Sequence, residues 1–190
     1  MKKIFLSASI PSPLRNEKYY DTADFMAIRE AVRSLAIVVI PKTILVWGGH
    51  PAITPIISNV LKAMNSDIQK HVLVYQSRFF EEKFPKENNN IGQIVLTDKV
   101  EDDRGKSLLL MREKMIKENE YTAGIFIGGM EGVEEEFDMF SKQHTNSIFM
   151  PIATTGAAAK IIYEKTPDAF DKQLATEYAY RNLFSKIIKI

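Results

Sequence analysis

The sequence predicts an α/β fold, a Rossmann-like doubly wound parallel sheet of about six strands with helices on both faces. Three observations carry this expectation. Six short β-branched or aliphatic runs punctuate the chain. Most are continuously apolar rather than alternating, as strands buried on both faces are. Segments with helical periodicity lie between them, so each crossover returns to a parallel strand.

The predicted strands are Lys3–Ser7, Thr43–Trp47, His71–Tyr75, Gln93–Leu96, Ala123–Ile127 and Ser147–Pro151. After the first comes an unusually long connection, Ala8–Tyr20, with two prolines, Arg15 and paired tyrosines. It reads either as a functional lid or as a wandering surface loop. The helix over Thr22–Val39 places Phe25, Ile28, Val32, Leu35, Ala36 and Val39 on one face, with Asp21 or Thr22 as its N-cap. A second helix covers Thr54–Met64, and Glu81–Asn90 reads as one solvated loop. Further helices are expected over Arg104–Lys117, Val133–Lys142 and Gly156–Glu164. The last, Pro167–Ile188, sets Leu174, Tyr178, Leu183, Phe184, Ile187 and Ile188 in an amphipathic pattern. That face suits either a homodimer surface or docking within the chain.

Length and composition fit one domain over residues 1–190, with 45% hydrophobic residues to build its core. Lys and Arg number 25 against 24 Asp and Glu, so no bulk field draws the protein to nucleic acid or to an anionic membrane. Any anion must be held by local groups. The absence of cysteine excludes disulfides, thiolate nucleophiles and thiolate zinc sites, and a reducing cytoplasm is the natural compartment. The apolar stretch Ile4–Ile10 is interrupted by serines and ends at Pro11, too short for a signal peptide. No run reaches the roughly 18 apolar residues that a membrane span requires.

In an open parallel sheet the carboxyl ends of the strands are where ligands bind, because loops there meet helix N-termini whose unpaired N–H groups favour anions. Small residues and hydroxyls gather at those ends: Ser7 and Ser9, Gly48-Gly49-His50, Gly128-Gly129-Met130-Glu131-Gly132, and Thr154-Thr155-Gly156. Glycine lets backbone approach a phosphate closely, yet a strand-to-helix turn also uses it for conformation alone. Neither glycine pair fits the dinucleotide fingerprint and no Gly-Lys-Ser/Thr follows, so no cofactor motif is read. Arg78, beside Phe79 and Phe80, can stack on or pair with a nucleotide, or the phenylalanines can pack in the core. Three scattered histidines lack the acidic spacing of a metal site; of these His50, beside the glycine turn, is within reach of a ligand. Ser7 and Ser9 have no visible His-Asp relay, which leaves them as hydrogen-bonding groups.

The stretch Met111-Arg112-Glu113-Lys114-Met115, followed by Gly128-Gly129-Met130-Glu131-Gly132-Val133-Glu134-Glu135-Glu136, resembles the paired motifs of the Lonely-guy phosphoribohydrolases. With Phe5–Ser9 and Gly48–Pro51 the chain is similar to the wider SLOG superfamily, nearest to its branch associated with TIR and nucleoside-phosphorylase domains. Carried over, the enzymes' catalytic pair falls on Arg112 and on Glu135 or Glu136. Ile127 replaces their proline, Val133 their threonine, and an extra residue separates Gly129 from Gly132. Glutamates opening a helix are also favoured by the macrodipole alone, and Arg112 can equally form a surface ion pair. The sensor members imply a binding domain for a nucleotide-derived molecule such as ADP-ribose or cyclic ADP-ribose, in bacterial antiphage signalling, self-associating and coupled to a TIR-type or other effector protein. The enzyme members imply an N-glycosidase or phosphoribohydrolase instead; a deoxyribosyltransferase would need a carboxylate nucleophile that no residue singles out.

Overall fold

The computed structural model describes residues 1–64 and 66–189. Its strands are β1 (Lys3–Ser9), β2 (Ile44–Trp47), β3 (Val72–Ser77), β4 (Ile94–Thr97), β5 (Ala123–Gly128) and β6 (Ile148–Ile152). They form one parallel sheet in the order β4-β3-β2-β1-β5-β6. The helices are α1 (Glu17–Tyr20), α2 (Phe25–Val39), α3 (Thr54–Lys62), α4 (Arg104–Lys117), α5 (Glu131–Gln143), α6 (Ala157–Lys165) and α7 (Tyr180–Ile187). The chain starts at the centre, works outward to β4, then returns through α4 to β5 on the other side of β1. That reversal puts the topological switch point at the carboxyl ends of β1 and β5.

Alternation along the strands feeds two cores. Ile4, Leu6, Leu45, Trp47, Val72, Val74, Ile125 and Ile127 meet the buried faces of α2, α3 and α7. Phe5, Val46, Leu73, Tyr75 and Phe126 meet α4, α5 and α6. The first layer is mostly aliphatic. The second is aromatic, with Phe140 stacked on Phe5 at 5.0 Å between ring centroids and edge-on to Phe126 and Phe149.

All six strands lie where periodicity puts them, with ends shifted by a residue or two. Four expectations are corrected. Asp24, not Asp21 or Thr22, caps α2, its carboxylate accepting the Ala27 N–H at 2.8 Å; Phe25, next in line, is half-exposed. Glu81–Asn90 is not one loop in solvent. It folds as short 3-10 segments (Arg78–Lys83 and Lys86–Asn90) tied back to β3 by Asn88 Nδ2 donating to Gln76 Oε1 at 2.6 Å. α5 begins at Glu131, two residues early, because the backbone is already extended at Met130. The last long helix is replaced by 3-10 turns at Pro167–Ala169 and Lys172–Ala175 before α7 starts at Tyr180. Leu174, Leu183, Phe184 and Ile188 are buried in the chain's own core, so docking rather than a dimer surface accounts for them; Tyr178 is exposed. Among the described residues no helix is long and apolar enough to cross a membrane.

Candidate functional site

A cavity of about 850 Å³ opens over the carboxyl ends of β1, β2 and β3 and the start of α5. That volume suits a ligand of nucleotide size. Its floor is Leu6, Ser7, Ala8 and Ser9 from β1 with Trp47, Gly48 and Gly49 from β2. Ser7 is 1% exposed and its Oγ has no hydrogen-bond partner among the described residues, although it lines the cavity. A buried hydroxyl left unpaired costs about 1–3 kcal/mol, which a ligand that hydrogen-bonds to it recovers.

The start of α5 forms one wall, through Met130, Glu131, Gly132 and Val133. No side chain caps this helix. Its first amides therefore point at the cavity end without a side-chain acceptor, where the dipole favours an anion. The N-terminus of α4, also on the cavity through Arg104 and Gly105, is treated differently. Asp103 accepts the Lys106 N–H at 3.0 Å, and that backbone bond holds its carboxyl below the usual carboxylate range.

Four cations and three carboxylates line the space. Arg112 is paired with Glu136, Nε to Oε1 at 3.1 Å, and with Glu135 through Nη1. Arg15, from the long connection after β1, lies 3.5 Å from Glu131. Lys83 and Arg104 form no ion pair among the described residues, so they give the cavity positive charge not already neutralised. The connection that carries Arg15 is anchored by Tyr19, which is buried and donates to Glu134 Oε2 at 2.5 Å. Burial, then this bond, raises the Tyr19 phenol. Burial would raise the Glu134 carboxyl as well, but Tyr19, Lys165 and Lys18 together bring it below its ordinary value. His50 also lines the cavity; its Nδ1 accepts the Ala52 N–H at 3.2 Å, which leaves the ring proton on Nε2. Burial, and secondarily the charge of Arg15, lowers its pKa to about 4, so the ring is neutral near pH 7.

Of the residues singled out in the sequence, Ser7, Ser9, Gly48, Gly49, His50, Arg112, Met130, Glu131, Gly132, Glu135 and Glu136 line this cavity. Gly128, Gly129, Thr154, Thr155, Gly156 and Arg78 do not. The Thr-Thr-Gly turn is spent on structure. Thr155 Oγ1 donates to the Ile152 carbonyl at 2.6 Å and accepts the Gly128 N–H at 2.8 Å, while Thr154 Oγ1 meets the Tyr180 hydroxyl at 3.0 Å. Gly156, at φ +71°, packs so tightly on the Thr22 carbonyl that any Cβ would collide with it. Arg78 pairs with Glu81 at 3.0 Å and Asp98 at 3.8 Å. Phe80 reaches the cavity, and neither it nor Phe79 is fully buried. His71 and His144 hold backbone carbonyls of Ile40 and Ile116. Gln76, Phe80, Lys83, Phe84 and Arg104 complete the walls, from segments that look like plain loop or helix start in the sequence. Their one signal is position, since each ends or follows a strand or opens the next helix. No group of three or more His, Asp or Glu able to hold a metal occurs among the described residues.

A family model described as "SLOG cluster3 family" matches residues 18–188. The X-ray structure of TM1055, a structural genomics target, superposes with a TM-score of 0.54 at 15% sequence identity, over 86% of this chain and 81% of that one. At that identity the likeness speaks for the fold alone. No curated protein matches the chain.

Proposed function

The chain belongs to the SLOG cluster3 family, and on that premise we propose that its cavity binds a nucleotide-derived small molecule of the ADP-ribose or cyclic ADP-ribose type. The observation that carries this reading is the buried, unpartnered Ser7 Oγ on the cavity floor, across from an α5 N-terminus that no side chain caps. A polyhydroxylated, anionic ligand supplies both missing partners at once. In this reading the domain is the cytoplasmic sensor of a bacterial antiphage system, nearest to the branch associated with TIR and nucleoside-phosphorylase domains. It self-associates and passes its state to a TIR-type or other effector protein. The likeness of its strand-end motifs to those of the sensor members supports that role.

A second reading, a nucleotide N-glycosidase or phosphoribohydrolase, is favoured by Arg112 and Glu136 standing 3.1 Å apart on the same wall. N-glycosidic cleavage builds positive charge on the ribose, which a carboxylate stabilises. Glu136 is already engaged by Arg112, however, and only 13% of its side chain is exposed. Incubation with ADP-ribose, cyclic ADP-ribose and nucleoside monophosphates separates the two. The sensor gives a thermal shift without base release, stabilisation reaching about 2.7 kcal/mol at 100 times the dissociation constant. Free base on chromatography establishes the enzyme instead. If no compound shifts the melting curve or is turned over, both readings fall.

A further inference from the structure

The guanidinium of Arg112 has three nitrogens in three different settings. Nε donates to Glu136 Oε1 at 3.1 Å, and Nη1 contacts Glu135 Oε2. Nη2 makes no hydrogen bond among the described residues and lies 2.5 Å from where a Cβ on Gly132 would stand. The absence of that Cβ is what lets the guanidinium lie over the first turn of α5. A guanidinium presents a side edge, Nε with Nη2, and an end edge, Nη1 with Nη2, and a phosphate takes either edge in bidentate fashion. Each edge is half used, by one oxygen of one carboxylate.

The two carboxylates are not equivalent. Glu136 is as buried as Arg112, each side chain 13% exposed, whereas Glu135 is 59% exposed. An exposed ion pair contributes little and rearranges freely, while breaking a buried one strands a charge away from water. Without Glu135 the end edge would face the uncapped start of α5, positive group against positive dipole.

We propose that Glu135 is a displaceable counter-ion of the binding site: it neutralises the end edge of Arg112 in the empty cavity and yields that edge to an anionic group of the ligand, while Glu136 holds the guanidinium in place. This rests on the reading that the cavity takes an anionic nucleotide derivative. Glu135 then works as a specificity-determining residue, since only a group that binds the end edge better than a carboxylate displaces it. The Ser7 hydroxyl, 1% exposed and unpartnered on the same cavity, is a fixed second contact for the incoming ligand.

Calorimetric titration of ADP-ribose and AMP, with adenosine as the uncharged comparison, tests this in wild type, Glu135→Gln and Glu136→Gln. Glu135→Gln tightens ADP-ribose and AMP about fivefold, the worth of one exposed charge pair, and leaves adenosine unchanged. Glu136→Gln acts in the opposite direction and weakens both anions. Wild type that binds ADP-ribose with an affinity Glu135→Gln leaves unchanged or weakens overturns the counter-ion role but not the cavity's function. Equal tightening for adenosine overturns it too, because charge competition cannot act on a neutral ligand. Wild type that binds neither anion overturns the cavity reading and the counter-ion together. Should Glu136→Gln fail to fold, the comparison of wild type with Glu135→Gln decides alone, since Glu135 lies on the surface.

Discussion

The Gly48-Gly49 and Gly128-Gly129 turns are the same dipeptide after a buried strand, at the same edge of one sheet, and their leading glycines do opposite things. The first turn is open at Gly48, while Gly49, at φ +63°, is backed by the Gln76 side chain 2.5 Å from where a Cβ would stand. A Cβ on Gly48 would meet only the ends of two flexible side chains, Met111 Cε at 3.3 Å and Met115 Cε at 3.7 Å, and both glycines line the cavity. The second is closed. Thr155 takes the Gly128 N–H, the Gly129 carbonyl accepts from Ala158 N at 3.2 Å, and Ile28 and Val133 fill the space a side chain would use. A glycine pair reports that backbone must turn or approach closely. What packs over it decides whether that room is left for a ligand.

The sharpest way to break this comparison is Gly129→Ala. Its φ is +87° and a methyl group would collide with Val133, so the loss of stability should be about 3 kcal/mol, with backbone strain and overpacking adding. Chemical denaturation measures it, and a variant as stable as wild type would mean the closed turn is not closed. Next in size is the pH response of His50, which follows the open turn and has no counterpart at the closed one. Its folded pKa of about 4 lies below the ordinary 6.5, so the unfolded chain binds the extra proton first. Stability from this group is complete above pH 6.5 and falls as the pH drops toward 4, by about 3 kcal/mol in all. His50→Gln should flatten that part of the melting-temperature profile; an unchanged slope would place its origin elsewhere. The smallest effect on folding belongs to Gly48→Ala, under about 1 kcal/mol because methionine ends give way. The same methyl narrows the cavity floor, and titration should show ADP-ribose weakened about tenfold. Full affinity in this variant would remove Gly48 from the binding surface.

Most of the strands were legible because burial on both faces leaves an uninterrupted apolar run, as in Ile44–Trp47 and Ala123–Ile127, and the edge strand β4 kept such a run although Ile94 and Leu96 are exposed. The final helix was misread because Leu174, Leu183 and Phe184 are apolar at helical spacing while the backbone ahead of α7 turns twice in 3-10 form, at Pro167–Ala169 and Lys172–Ala175. Periodicity registers which residues are buried and is blind to a chain that reaches the same core by another path. At the site, Arg112 and the glutamates could be found from the motif, and Gly48 with Gly49 from the strand end. That Gly128 is sealed could not, since Ile28 and Thr155 come from distant parts of the chain. Arg104 and Lys83 belong to no motif and are marked only by their place after a strand or at a helix start. Their role comes from where β3 and β4 end relative to β1, a fact of topology that no short stretch of residues contains.

The position of β1 has a consequence for how the protein is made. It is synthesised before the other five strands and it lies inside the sheet, with Ile4 beside Ala123 and Ser9 beside Gly128. Until β5 has been synthesised, one hydrogen-bonding edge of that strand has no native neighbour, and pairing across so long a loop is slow. The nascent chain therefore carries an apolar, half-paired edge until β5 emerges, a natural point for chaperone capture and for aggregation when translation stalls before it.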